Sequence, residues 1–364
     1  MKTSVRSHCH LAVIGALLLS CVAVATVVST STSTASQPRA GAGSLSGVNV
    51  FGSGFDRPDA ITVGAGHVWV ANANGNSVTE ISSSTGALTQ VLEGATFGFN
   101  YPAAIAVGAG HVWVANANGN SVTEMSSSTG AVVQILAGSS YGFNLPDAIV
   151  AGSNHAWVAN ANGNTVTEIS TSTGALTRII HGTLYDRDYP DAIALDAKHV
   201  WVANYGQTPD FGGCCVALSS VAEFKAPSGT VLKVRAPANK FEAPSAIAVA
   251  AGHVWVANAS DINGGGGDFL TELNASTSAF VGILNAKAYD FNSPSSIASA
   301  GPNLWVANFV GNTVTELSAA TGALVRVITG SNYGFDGPAA IGSDGTHLWV
   351  ANKNGNSVTE FPTS

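Results

Sequence analysis

Residues 102–116 read Pro102-Ala103-Ala104-Ile105-Ala106-Val107-Gly108-Ala109-Gly110-His111-Val112-Trp113-Val114-Ala115-Asn116. Asn118-Gly119 follows, then Ser121-Val122-Thr123-Glu124-Met125, Ser128-Thr129-Gly130 and Ala131-Val132-Val133-Gln134-Ile135-Leu136. Four runs of about five residues, rich in Val, Ile and Thr, are punctuated by Gly and by Asn-Gly, the strongest short hairpin signal. A helix would need ten or more uninterrupted residues. The stretch therefore predicts four antiparallel strands, here called a to d.

The same unit recurs along the chain. All seven tryptophans, Trp69, Trp113, Trp157, Trp201, Trp255, Trp305 and Trp349, precede Val-Ala-Asn, at spacings of 44, 44, 44, 54, 50 and 44 residues. A period in the forties with four strands per unit is the signature of a propeller blade. The fold class is all-β, a seven-bladed β-propeller of four-stranded blades over residues 45–362. The last unit ends after strand c, at Val358-Thr359-Glu360-Phe361. Ser46-Gly47-Val48-Asn49-Val50-Phe51 stands where a strand d belongs, so an N-terminal strand is expected to complete the last blade and leave no open seam.

Composition narrows the function classes. Only 10% of the 364 residues are charged and 46% are hydrophobic, with a formal net charge of −8. That balance excludes a disordered chain and a basic nucleic-acid binder. Residues 1–36 read as an export leader: Lys2 and Arg6, an apolar stretch from Leu11 to Val28, then a Ser/Thr-rich exit. The expectation is a secreted or extracytoplasmic protein with no membrane span in the mature chain. An uncleaved anchor and a lipoprotein attached through Cys21 stay open. A monomer is expected.

Residues present in every blade are read as serving the fold. The tryptophans are taken as wedges between blades, against a sugar- or base-stacking role. The histidines opening strand b (His67, His111, His155, His199, His253 and His347) are read as locking a turn, since equivalent positions on neighbouring blades lie too far apart to share a metal ion. The Glu of Val-Thr-Glu is read as paired or backbone-bonded, and Asn72 with its equivalents as satisfying turns. The aromatics before strand a, as in Tyr141-Gly142-Phe143, are read as plugs between blades. Lys225, Lys233, Arg235 and Lys240 are read as a solvated face.

Departures from the repeat carry the functional expectations. Blades four and five have long b–c loops, Tyr205 to Ser220 and Ala259 to Phe269, on one face, here called the top. Insertions on one face of a repeat array mark a binding side. The first holds Tyr205, Asp210, Phe211 and the adjacent Cys214 and Cys215, for which a vicinal disulfide, a free thiol pair and a soft-metal or redox role stand open. The second runs from Asp261 to Asp268 through four glycines. It suggests a calcium loop or a flexible one, without the EF-hand register. After the first proline of strand a the blades carry Asp59, Ala103, Asp147, Asp191, Ser245, Ser295 and Ala339. Three carboxylates at the channel mouth suggest a divalent cation (calcium or magnesium) or acid–base chemistry, with caps or turn bonds as the plain alternative.

Trp-Val-Ala-Asn-x-Asn-Gly-Asn-Ser-Val-Thr-Glu-Ile followed by Ser-Thr-Gly-Ala-Leu resembles the YVTN and NHL-type repeats of bacterial propellers. It is also similar to the streptogramin-lyase-like (virginiamycin B lyase-like) group, over residues 46–361. That group typically reads Trp-Phe-Thr-Glu where this chain reads Trp-Val-Ala-Asn. The favoured expectation is an exported binding or interaction scaffold, taking a small molecule or protein ligand on the top face near blades four and five. The alternative implied by the resemblance is a metal-assisted lyase or hydrolase at the channel mouth. A quinone-cofactor enzyme is a third reading, since vicinal cysteines also occur in quinoprotein propellers, which usually have eight blades.

Overall fold

In blade one, strand a (Pro58–Gly64) pairs with b (His67–Asn72), b with c (Ser77–Ser82) and c with d (Leu88–Leu92), all antiparallel. The computed structural model describes residues 45–181, 189–206, 219–226, 228–235, 240–259, 268–285 and 287–364. These form seven four-stranded sheets of the same order. Each innermost strand touches the next, and that of blade seven touches that of blade one. Among the described residues no helix is long and apolar enough to cross a membrane.

Blade seven takes strands a (Pro338–Ser343), b (His347–Asn352) and c (Ser357–Pro362) from the C-terminal end and strand d, Asn49–Phe51, from the N-terminal end. Asn49 pairs with Glu360 and Phe51 with Val358. This closing strand is shorter than the run from Ser46 suggests. Gly47 adopts φ 79°, which turns the chain out of the ladder.

The core lies between blades. Trp69 packs with Ile105, Val112, Val114 and Met125 of the next blade, and Trp349 packs with Ile61, Val68 and Val70 of blade one. Six tryptophans are fully buried and Trp157 keeps 4% exposure. Each contributes at most roughly 4–6 kcal/mol by area. The loop aromatics join the same clusters, and Tyr141 stacks on Phe143 with centroids 5.3 Å apart.

Buried asparagines stitch each blade internally. Asn116 donates to the Ser121 and Thr123 hydroxyls at 3.2 and 3.0 Å, and Thr123 donates to the Phe97 carbonyl at 2.8 Å. Two of the histidines hold the a–b turn as expected, His199 meeting Asp196 at 3.2 Å and His347 meeting Asp344 at 3.6 Å. Others reach across to strand c instead, where His67 meets Glu80 at 2.7 Å, His111 meets Glu124 at 3.0 Å and His253 meets Glu272 at 2.7 Å. Each of these Glu thus has its His in the same blade, which keeps the repeated carboxylates from forming a shared acidic ring. Strand d adds a clip: Gln90 donates to Glu80 and to the Thr129 carbonyl of the next blade. Lys240 also departs from the solvated face, holding its ammonium 4.5 Å from the Phe280 ring centre.

The leader at 1–36 with Cys21, and the expected site residues Asp210, Phe211, Cys214, Cys215 and Asp261, lie outside the described residues.

Candidate functional site

Each strand a enters from the top face through a β-bulge. In all seven blades the register slips between the first proline and the third residue. The bulged residue is the one that varies: Asp59, Ala103, Asp147, Asp191, Ser245, Ser295 or Ala339. A bulge leaves its extra residue out of the ladder and re-aims its side chain. The hydroxyls of Ser245 and Ser295 donate to the carbonyls of Pro294 and Pro338, each in the following blade. The position therefore reaches across the seam between adjacent blades.

The residue before each proline has a left-handed backbone: Arg57 (φ 55°), Tyr101 (56°), Leu145 (52°), Tyr189 (46°), Ala243 (44°), Ser293 (55°) and Gly337 (62°). Six of the seven are not glycine, so the conformation is imposed from outside. The residue after the buried Asn holds its carbonyl, as in Ala73 N–H to Arg57 O and Lys353 N–H to Gly337 O, both 2.9 Å. In blades one to four and seven a b–c turn asparagine of the preceding blade accepts its N–H, as Asn76 does from Tyr101 at 2.7 Å and Asn356 from Arg57 at 2.7 Å, and in blade five the Ser219 hydroxyl takes that place. Every blade thus offers three variable positions on a rigid frame at the channel mouth: before the proline, at the bulge, and after the buried Asn.

From blade seven to blade four these positions carry one connected polar and aromatic group. Lys353 Nζ lies 2.6 Å from Asp59, and Arg57 Nε lies 3.3 Å from the same carboxylate. The Arg57 guanidinium sits 5.3 Å from the Tyr101 ring centre. Burial, then the charge of Asp59, raises the Tyr101 phenol above its ordinary range. Asp147 and Asp191, on consecutive blades, hydrogen-bond to each other through their side chains. Burial, and then the neighbouring Asp147, pushes Asp191 well above the usual carboxylate range. Asp147 is also raised by burial, while the bond from Asp191 works against the rise. Both carboxyls are thus raised, Asp191 the more strongly. Tyr189, its phenol raised by burial and by both carboxyls, stands edge-on to Tyr205 with centroids 6.3 Å apart.

The expected carboxylates therefore stand at the mouth in two forms, an ion-paired Asp59 and a hydrogen-bonded Asp147–Asp191 pair. Tyr205 belongs with them. Asp268 is half-buried and directly precedes strand c of blade five (Phe269–Asn274). Among the described residues no group of three His, Cys, Asp or Glu is placed to hold a metal ion. Sequence reading missed Arg57, Tyr101, Tyr189 and Lys353. Comparing the seven copies at the position before the proline and at the position after the buried Asn would have found them.

No family model matches the chain, and no curated protein matches it. Among solved structures, it is similar to hydrazine synthase of Kuenenia stuttgartiensis, with a TM-score of 0.69 and 18% identity over 85% of this chain and 96% of that one. The likeness supports the β-propeller fold.

Proposed function

We propose that the chain is an exported binding propeller whose recognition site is the channel mouth on the top face, from blade seven through blade four. The carrying observation is that the ring's charged and tyrosine substitutions at the three variable positions fall on these neighbouring blades, as one connected group. The repeat's resemblance to YVTN and NHL-type propellers supports the scaffold reading, and the apolar leader supports export.

The group also suggests a ligand chemistry. In blade one the bulge carboxylate Asp59 takes the ammonium of Lys353, which follows the buried Asn of the preceding blade. The same position preceding Asp147 and Asp191 holds Ala117 and Ala161, both buried. A ligand carrying an ammonium, flanked by Tyr189 and Tyr205, supplies there what Lys353 supplies at Asp59. A panel of primary amines and diamines, scored by saturable thermal stabilisation, tests this. Stabilisation lost on combining Asp147→Asn with Asp191→Asn supports the site. No response from any amine, or one that survives in the double variant, removes it.

A second reading, acid–base catalysis of the lyase or hydrolase type, is favoured by the hydrogen bond between Asp147 and Asp191 and the raised pKa of both, since one carboxyl can donate while its partner accepts. It calls for turnover that follows the pair's titration and is lost in either single Asn variant.

A further inference from the structure

The Glu of each strand c has two carboxylate oxygens, and the blades serve them in a repeated way. Oε1 faces the strand-b histidine in blades one to five and Asn303 in blade six. Oε2 is met in six blades by a third element. Gln90 and Gln134 of strand d donate to it at 2.5 and 2.7 Å, Arg178 Nε lies 2.6 Å from it, and Arg326 Nε donates to it. In blade seven the donor is Asn49 of the closing strand, at 3.1 Å. In blade four it is the hydroxyl of Ser278, from the c–d turn of blade five.

Blade five departs from this pattern. His253 meets Oε1 of Glu272 at 2.7 Å, and no donor among the described residues meets Oε2. Both places from which a donor comes are glycine. Gly282 stands opposite Glu272 on strand d (Phe280–Leu284), and Gly322 stands in the c–d turn of blade six where blade five has Ser278. The carboxylate is reachable as a result: the Glu272 side chain keeps 10% exposure, against 0–5% for Glu80, Glu124, Glu168, Glu223 and Glu316. The backbone does not require Gly282, since its φ lies outside the left-handed region and a Cβ there would meet nothing within 4 Å. Nor does the bulge beside it, which five other blades carry with Gln, Arg or Lys at this position. Glycine inside a strand then marks a close approach by a ligand or another backbone. The Thr321 carbonyl precedes Gly322 as the Thr129 carbonyl, bound by Gln90, precedes Gly130, and it too has no donor among the described residues.

We infer that the outer rim between blades five and six, at Gly282, is a binding seat for a guanidinium group on a narrow alkyl stem, as free guanidine compounds and arginine side chains carry. Two other seams show the chemistry. Arg326 donates through Nε to Glu316 and through Nη2 to the Thr363 carbonyl 3.3 Å away, and Arg178 spans Glu168 and the Ser228 carbonyl. The planar guanidinium suits this task, because its fork of N–H donors reaches a carboxylate and a carbonyl at once and the bond to the carboxylate is charge-assisted. At the fifth seam Glu272 Oε2 and the Thr321 carbonyl are the same two acceptors, and the stem enters through the open space beside Gly282. The seat lies on strand d, the outermost strand, and stands or falls independently of the channel mouth.

The test follows the His253 imidazole resonances of the full chain by NMR, assigned through His253→Gln, during titration with propylguanidine and with propylurea, its neutral counterpart. Propylguanidine is expected to shift them saturably and to bind at least about tenfold more tightly than propylurea. Gly282→Arg supplies the group from the chain itself. It should move the resonances in the same direction without ligand, raise the melting temperature and weaken propylguanidine at least tenfold. Gly282→Ala should keep binding within threefold, and so should Asp147→Asn combined with Asp191→Asn, which alters only the mouth. The other histidine resonances report whether each variant is folded. A capped Val-Thr-Arg-Thr-Val peptide that binds at least tenfold more tightly than propylguanidine assigns the seat to an arginine on an extended segment of a partner, and a smaller gain assigns it to a free guanidine compound. No saturable shift in the parent chain, equal binding of propylurea, undiminished binding in a folded Gly282→Arg variant, or loss of binding in the mouth double variant would each overturn the seat.

Discussion

Phe51 stacks on Trp349, with ring centroids 5.8 Å apart and planes 18° from parallel. One residue lies at the start of the folded chain and the other in its last blade, so this contact closes the ring. Asn49 adds a bond to Glu360 at 3.1 Å, and the Leu45 N–H donates to the Tyr333 hydroxyl at 2.8 Å. A ring opened at this seam leaves the inner faces of blades one and seven without their neighbours.

Phe51→Ala should therefore cost about 2–4 kcal/mol, read from urea unfolding. Removing residues 45–51 should lower the melting temperature far more, because strand d of blade seven goes with them. An unchanged melting curve after that deletion would show that the seam holds without the N-terminal strand.

The buried asparagines offer a sharper contrast. Asn116 is fully buried and serves two hydroxyls, one of which anchors a loop carbonyl. Asn116→Ala leaves those groups short of a partner and should cost about 2–3 kcal/mol. Asn118, two residues on and exposed, should change stability by less than about 0.5 kcal/mol when replaced by Ala. Equal costs at the two positions would mean that the network contributes little.

Lys353 and Asp59 come from blades seven and one, and their contact is largely shielded, with side-chain exposures of 26% and 11%. Lys353→Met, Asp59→Asn and the double variant form a thermodynamic cycle. A coupling of about 1–2 kcal/mol is expected, above that of an exposed pair. A coupling near zero would assign Asp59 to Arg57 alone.

The architecture was legible because seven copies repeat their tryptophans and Asn-Gly turns, and because strand d of the last blade stands at the opposite end of the chain. Comparing copies also pointed to Asp59, Asp147 and Asp191, since the bulge position varies while the proline before it does not. Pairing was not legible. That Asp147 meets Asp191 while Asp59 meets Lys353 depends on which bulge faces which seam, and residues 59 and 353 are joined only by ring closure. The histidine partners were missed for a related reason. His67 and Glu80 are not a register pair but diagonal neighbours across strands b and c, a relation set by sheet geometry.

Asp191 provides the pH test of the mouth. Its folded-state pKa lies well above the unfolded one, mainly through burial and then through Asp147. Between those two values the native chain binds more protons than the unfolded chain, so stability falls as pH rises. The fall begins near pH 4, where an unfolded Asp ionises, and continues until the native carboxyl has titrated. Asp191→Asn keeps the shape, can still donate to Asp147 and cannot ionise. Its stability should lose this downward slope, and it should exceed the parent at pH 8 by more than at pH 4. Urea unfolding of both proteins across that range measures the difference. Parallel stability curves would mean that Asp191 ionises as an ordinary surface carboxylate, and the raised pKa at the mouth would have to be given up.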